Sequence, residues 1–176
     1  MLIRPVHPGD APAIAEIYAH HVLHGTASYE TVPPDAEEMV KRIARVLDAG
    51  WPWLVAEDSA STIQGYAYAT QFRDRAAYRY VCEDSIYIRC DARAQGIGKA
   101  LLTALLETCT ALGFRQMVAV IGGTEPASEA LHARLGFAIA GRLLGIGRKH
   151  CRWLDTLYMQ RSLGNGANSP PECEPN

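Results

Sequence analysis

The stretch that decides the fold is residues 87–102, YIRCDARAQGIGKALL. Its first residues continue an alternating pattern that predicts a strand over Asp84 to Arg89, and its last residues begin an amphipathic helix over Gly96 to Leu112. A glycine-rich turn lies between them. The first amides of a helix lack partners within the helix, and the helix dipole favours anions at this end. The turn therefore predicts a site for phosphate groups.

Two glycines and two cations in the turn support this prediction. Gly96 and Gly98 lack the β-carbons that would keep a pyrophosphate from the backbone, and Arg93 and Lys99 add positive charge at either end. The turn is not a P-loop, because Lys99 is followed by Ala100 rather than by Ser or Thr. It is not a dinucleotide-binding fingerprint either, because the third glycine is missing. A turn that uses glycines only for its own geometry remains an alternative at this point.

The rest of the chain predicts one α/β or α+β domain, because strand patterns and helix patterns are mixed along it. The other predicted helices cover residues 11–21, 33–48 and 128–135, and the other predicted strands cover residues 2–4, 53–57, 62–70, 117–121, 137–143 and 155–160. We expect the domain to span residues 1–163. Residues 164–176 are rich in Gly, Pro and Asn and predict a disordered tail.

The composition excludes several classes of protein. The 176 residues are 48% hydrophobic, which is enough for a core, and the net charge of -2 does not suggest nucleic acid or a membrane as partner. The N-terminus lacks the apolar run of a signal peptide, and no stretch approaches the roughly 20 apolar residues of a membrane helix. The five cysteines form no CxxC pair, which favours reduced thiols in a cytoplasm. His20, His21 and His24 lie close in sequence, but no carboxylate pattern follows them, so no metal is expected.

The turn resembles the pyrophosphate motif of the GNAT superfamily of N-acetyltransferases, since Arg93-x-x-Gly96-x-Gly98 follows a strand. Further motifs occur in the order expected for the phosphinothricin N-acetyltransferase family, over about Ile3 to Arg161. They are AY at residues 77–78, EDSIYI at 83–88, VAVIG at 118–122, LHxxLGF at 131–137, GRKH at 147–150 and WLD at 153–155.

This resemblance implies a mixed, twisted sheet with helices on both faces and with strands 4 and 5 splayed apart. It implies acetyl-CoA as co-substrate in the splay, with its pantetheine paired to the strand, and no metal. The residues that the resemblance assigns to acetyl-CoA are Ile86, Tyr87, Ile88, Arg93, Ala94, Gln95, Gly96, Ile97, Gly98, Lys99, Glu125 and Ser128. Glu125 departs from the family pattern, because relatives often have Asn there and an acid cannot imitate an amide donor.

Acetyl transfer to an amine requires a base, because amines are largely protonated at neutral pH. Glu83 matches the place of the family's proposed base, although a solvated carboxylate at a strand end is the alternative. Asp84 should point to the opposite face of the strand. His132 lies near the place where superfamily members often have a tyrosine that protonates the leaving thiolate. It is therefore a candidate acid, and a structural histidine is the alternative.

The resemblance also implies a small, amino-acid-like substrate that carries an α-amino group, such as phosphinothricin or methionine sulfoximine or sulfone. Arginines can bind the acidic groups of such a substrate through paired hydrogen bonds. The candidate substrate-binding residues are Tyr29, Phe72, Arg73, Arg75, Tyr78 and Lys149. A homodimer is expected, with residues 149–153 reaching the neighbour.

Three other functions remain open from the sequence. A protein or peptide N-acetyltransferase would use the same fold, and a non-catalytic CoA-sensing module would lack a usable base. A nucleotide-binding regulatory domain is disfavoured by the missing P-loop residues.

Overall fold

Seven strands form one sheet in the order β1-β2-β3-β4-β5-β7-β6 in the computed structural model, which describes residues 1–123 and 125–171. The elements in chain order are β1 Leu2–Pro5, α1 Ala11–His24, α2 Ala36–Asp48, β2 Trp53–Glu57, β3 Ile63–Gln71, β4 Val81–Ile88, α3 Ile97–Ala111, β5 Gln116–Gly122, α4 Pro126–Arg134, β6 Ala138–Lys149 and β7 Arg152–Ser162. The pair β4–β5 is parallel, and the other neighbours in the sheet are antiparallel. The sheet is therefore mixed, as predicted.

Helices cover both faces of this sheet. On one face α1 and α2 pack on Trp53, Val55 and Tyr66, and on the other face α3 packs on Ala67 and Cys82. Side chains alternate between the faces of a strand, so neighbouring residues of β2, β3 and β4 serve different cores. This arrangement confirms the predicted fold class.

Strands β4 and β5 separate part of the way along their length. Their parallel pairing runs from Val81 and Gln116 to Asp84 and Ala119. Beyond this point β4 continues beside β3, and β5 continues beside β7 as far as Gly122. Because each strand follows a different neighbour, a gap opens between them, and the predicted splay is confirmed.

The last hairpin is longer than its sequence pattern predicted. The expected strands were residues 137–143 and 155–160, whereas β6 runs to Lys149 and β7 begins at Arg152. The turn between them consists of His150 and Cys151, both in the left-handed region with φ of 49° and 59°. Two-residue hairpin turns of this kind usually contain Asn or Gly, and neither residue occurs at positions 150 and 151, so no turn was predicted here.

The predicted tail is described in part. Residues 164–167 form turns, and the Arg115 guanidinium donates to the carbonyl of Pro170 at 3.0 Å. Residues 172–176 lie outside the described residues, and disorder of the tail remains a prediction.

Candidate active site

The gap between β4 and β5 opens into a cleft of about 420 Å³. Residues of β4, β5, α4, the loop after α1 and the last hairpin line it. The candidate residues Glu83, Ile86, Glu125, Ser128 and His132 all border this cleft. The structure therefore brings together side chains from distant parts of the sequence.

The glycine-rich turn between β4 and α3 has the geometry of an anion-binding loop. Ala94 and Gly96 are both left-handed, with φ of 60° and 82°, and the amide of Ala100 is the first to donate back into the turn, to Gly96. The preceding amides at the helix N-terminus are thus available to a ligand. Arg93 and Lys99 are exposed beside them. These features fit a pyrophosphate.

Gly98 has a packing role that the sequence analysis missed. A β-carbon at this position would lie 3.2 Å from Leu131 of α4 and 3.9 Å from Ile86. A larger residue at position 98 would therefore press on the protein interior as well as on a ligand.

The backbone of β4 offers hydrogen-bonding groups to the cleft. In an antiparallel pair, the backbone N–H and C=O groups of alternate residues point to the same side of the strand. The backbone groups of Val81 and Arg89 form hydrogen bonds on the β3 side of β4. The groups of Ile86 and Ile88 consequently face the gap, where an extended ligand could pair as an added strand. The carbonyl of Ile88 already accepts a hydrogen bond from Nε2 of His21 at 2.9 Å.

His21 was considered in the sequence only as part of a metal cluster. In the structure it is buried on α1, and burial is the main cause that lowers the pKa of its ring. A neutral ring that donates to β4 therefore connects α1 to the end of the cofactor strand. Across residues 1–123 and 125–171, no group of three His, Cys, Asp or Glu side chains could hold a metal ion.

Glu83 is a half-buried carboxylate that lines the cleft beside the point where the two strands separate. It pairs with Thr70 on β3 and Val118 on β5. Burial raises the pKa of Glu83, the charge of Arg73 opposes this rise, and the charge of Asp84 adds to it. A carboxylate whose pKa is raised toward neutrality is a stronger base than an exposed one.

Asp84 and His132 form a buried pair. Both side chains are 2% exposed, and Oδ2 of Asp84 lies 3.0 Å from Nε2 of His132. Nδ1 of His132 lies 2.7 Å from the carbonyl of Ser128. Burial alone lowers the pKa of His132, but the hydrogen bond and charge of Asp84 and the Ser128 carbonyl raise it above its usual value. Asp84 was predicted to face away from Glu83, but its pairing with His132 was not predicted.

The expected substrate-binding residues lie in three places. Tyr29 lines the cleft, and its hydroxyl donates to the carbonyl of Asp155 at 2.9 Å. Four of the candidates follow β3, namely Phe72, Arg73, Arg75 and Tyr78. The guanidinium of Arg73 stacks 4.2 Å from the ring centre of Phe72, and the ring of Tyr78 contacts Phe72 edge-on. Arg73 and Arg75 are exposed there.

Lys149 is buried rather than open to the cleft. Its ammonium donates to the carbonyl of Ser28 at 2.6 Å, and burial lowers its pKa. This bond fastens the last hairpin to the loop after α1. A direct contact between Lys149 and a substrate therefore remains a prediction, for which this geometry gives no support.

Glu125 accepts a hydrogen bond from the Thr26 hydroxyl at 3.0 Å, immediately before α4. The carboxylate thus replaces the expected amide and is held by the loop after α1. The neighbouring position 124 is outside the described residues.

The sequence comparison identifies the family. A family model described as an acetyltransferase (GNAT) domain matches residues 3–158. The chain belongs to the GNAT acetyltransferase family. The cleft, the glycine-rich turn and the splayed strands are thus those of a GNAT protein.

Individual GNAT relatives cover almost the whole chain. It is 51% identical to the phosphinothricin N-acetyltransferase of Alcaligenes faecalis over 97% of this chain and 86% of the relative. It is 38% identical to an L-methionine sulfoximine/L-methionine sulfone acetyltransferase of Pseudomonas paraeruginosa over 96% of this chain and 98% of the relative. A phosphinothricin acetyltransferase from Sinorhizobium meliloti, solved with AcCoA, superposes with a TM-score of 0.95 at 50% identity and covers 97% of this chain and 92% of that one. The predicted family, fold and acetyltransferase class are confirmed.

Proposed function

We propose that this GNAT protein transfers the acetyl group of acetyl-CoA to the α-amino group of a small, amino-acid-like substrate. The observation that carries the proposal is the position of Glu83, which borders the cleft beside the point where β4 and β5 separate. A base at this point can reach an amine that approaches a thioester held along β4. The names of the relatives support a substrate of the phosphinothricin, methionine sulfoximine or methionine sulfone type.

Acetyl-CoA would be held by two backbone segments. Its pyrophosphate fits the amides and cations of Arg93–Lys99, and its pantetheine fits the free edge of Ile86–Ile88. Ser128, in the first turn of α4, borders the same cleft. No metal ion is needed in this arrangement, because backbone amides can polarise the thioester carbonyl.

The transfer would proceed directly from the thioester to the amine. Glu83 accepts a proton from the ammonium group of the substrate, directly or through water. The neutral nitrogen then attacks the carbonyl carbon, a C–N bond forms, the C–S bond breaks, and the nitrogen loses its second proton to solvent. The leaving sulfur takes up a proton, for which His132 is the candidate source.

Recognition of the substrate would use the cations beyond the end of β3. Arg73 and Arg75 can bind a carboxylate together with a phosphinate or sulfone group. Tyr29 would form the opposite wall, and Phe72 and Tyr78 would flank the arginines. Arg73 is close enough to oppose the rise in the pKa of Glu83, which places its charge near the proposed base.

We also propose that the protein is a homodimer in the cytoplasm. β6 is the edge strand of the sheet, and Ile139, Leu144, Ile146 and Trp153 of the last hairpin are 56–76% exposed. An apolar edge strand of this kind is a surface for association. The described cysteines 82, 90, 109 and 151 are free, as expected for a reducing compartment. None of the helices in the described ranges combines the length and the apolar character needed to cross a membrane.

The decisive experiment compares kcat/KM for phosphinothricin and methionine sulfone with kcat/KM for peptides that carry a free N-terminus or lysines. Release of free CoA reports the rate. We expect turnover of the small amino acids and little turnover of the peptides. The opposite selectivity would assign the chain to the protein N-acetyltransferases, and failure to turn over any amine would favour a CoA-sensing module.

A further inference from the structure

The hydrogen bonds of His132 fix the number of protons that it shares with Asp84. Nδ1 faces the carbonyl of Ser128 at 2.7 Å, and a carbonyl can only accept, so Nδ1 carries a hydrogen. Nε2 faces Oδ2 of Asp84 at 3.0 Å. Without a proton on either atom, two lone pairs would oppose each other in a buried site. One proton is therefore held between His132 and Asp84.

The second oxygen of Asp84 has an unusual environment. Oδ1 is buried and has no hydrogen-bond partner in the part of the chain that the structure describes, and Asp84 lines the cleft. Buried carboxylate oxygens normally have partners, so one that lacks a partner beside a cavity marks a place for a polar atom of a ligand.

The location of Asp84 indicates which atom of the ligand would lie beside its Oδ1. Asp84 is the last residue of β4 that pairs with β5, so it lies at the closed end of the splay. If the pyrophosphate binds at Arg93–Lys99 and the pantetheine runs along Ile86–Ile88, the thioester reaches this closed end. Asp84 packs on the face of α4, whereas Glu83 points to the opposite face. The two carboxylates therefore lie on opposite sides of the thioester.

We propose that Asp84 is the acid that protonates the sulfur of CoA, with the proton that it shares with His132. This inference rests on the proposed acetyl transfer. As the C–S bond breaks, the electron pair of the bond stays on sulfur, the Nε2 proton moves to the Asp84 carboxyl, and rotation of the carboxyl about Cβ–Cγ presents it to sulfur. Among the described residues, the contact with His132 is the only hydrogen bond of the carboxyl that opposes this rotation. The sulfur becomes a thiol, the pair regains one proton from solvent, and Glu83 and the acetylated nitrogen each release one, so that one proton is released in total.

His132 acts in this scheme through Asp84 and not on the sulfur itself. Both of its ring nitrogens are engaged and its side chain is 2% exposed, so it supplies the proton and orients the carboxyl. Glu83 and Cys82 on β4 are titratable groups whose pKa the charge of Asp84 also raises. The Cys82 thiol does not compete for this role, because its hydrogen bond with Cys109 and its burial raise its pKa strongly.

The variant Asp84→Asn tests the proposal, because it keeps the shape of the side chain and removes the acid. We expect kcat to fall by about 10²–10⁴-fold, the range for a lost general acid, and the alkaline limb of the kcat–pH profile to disappear. Acetyl-CoA affinity, measured by calorimetry, should stay unchanged, and so should the acidic limb that belongs to Glu83. Asp35→Asn is the matched control, since Asn also caps a helix and Asp35, the N-cap of α2, is not among the residues that line the cleft.

The variant His132→Gln separates the acid from a structural role. If the two residues act as one unit, Asp84→Asn combined with His132→Gln should be no slower than the slower single variant. His132→Gln alone also tests the alkaline limb if Asp84→Asn does not fold. Full kcat with an intact alkaline limb in either folded variant would overturn the proposal.

A measurement without substrate keeps this proposal distinct from the proposed function. The ¹⁵N spectrum of labelled histidine in the wild-type protein reports the protonation of His132. We expect the ring to titrate above the ordinary histidine value, whether or not any amine is acetylated. A ring that titrates at or below that value would overturn the shared proton, whereas a raised titration in a protein without amine turnover would overturn the proposed function alone.

Discussion

Glu83 and Asp84 are neighbours on one strand, yet the fold gives them different chemistry. Glu83 is half-buried, lies near the charge of Arg73 and has a pKa that burial raises. Asp84 is almost fully buried and shares a proton with a histidine that lies 48 positions further along the chain. Alternation of side chains across a strand is sufficient to produce this difference. Two carboxylates at the same point of the sheet can thus act on the two sides of one thioester.

Removal of Glu83 basicity should give the largest loss of activity. We expect Glu83→Gln to lower kcat by about 10²–10⁴-fold, because Gln keeps the shape but cannot accept the proton. Steady-state rates with methionine sulfone measure the loss, and calorimetry checks that acetyl-CoA still binds. A variant with wild-type kcat would mean that the base lies elsewhere.

Removal of the Asp84 carboxylate should affect stability most. We expect Asp84→Ala to lower the free energy of unfolding by about 3–5 kcal/mol, because it leaves His132 buried without its charged partner. Urea denaturation followed by circular dichroism measures this change. A loss below about 1 kcal/mol, the size typical of exposed ion pairs, would contradict the buried pair.

The same comparison predicts the opposite sign of stability change at Glu83. A carboxylate whose folded pKa is raised contributes stability below its unfolded pKa and loses it as the pH rises through the folded pKa. At pH 8 Glu83→Gln should therefore raise Tm, by about 2–4 °C for each kcal/mol recovered. A lower Tm at pH 8 in thermal scans would show that the carboxylate stabilises the fold.

The smallest expected effect comes from Arg73. Its charge opposes the rise in the pKa of Glu83, so Arg73→Gln should move the acidic limb of the rate profile to higher pH. Arg79→Gln is a control, since Arg79 follows the same loop and its guanidinium donates to the carbonyl of Ala76. A shift to lower pH, or an equal shift in the control, would contradict the assignment of the acidic limb to Glu83.

The sequence predicted those parts of the molecule that depend on local patterns. The strand over Trp53–Glu57 and the helix that follows the glycine turn needed only alternation, periodicity and turn chemistry. The family resemblance added the splay and the position of Glu83.

The contacts that the sequence could not predict join distant segments. His21 forms a hydrogen bond with the end of β4, Lys149 with the carbonyl of Ser28, and His132 with Asp84. No periodic pattern encodes such pairs, since each depends on how the helices and the last hairpin pack against the sheet. The i, i+4 spacing of Ser128 and His132 was the one local sign that the histidine ring would be held by its own helix.

The central claim is that Glu83 is the base for acetyl transfer to a small α-amino acid. Its most direct test is the pH dependence of kcat/KM for methionine sulfone in the wild-type protein and in Glu83→Gln. We expect the wild-type profile to rise as Glu83 loses its proton, with a midpoint above the ordinary glutamate value of 4.5, and to fall as the ammonium group of the substrate titrates. The variant should lack the limb of Glu83 and rise instead with the titration of the amine, because without the base only the neutral amine can react. Retention of both limbs and of wild-type kcat/KM in Glu83→Gln would contradict the account.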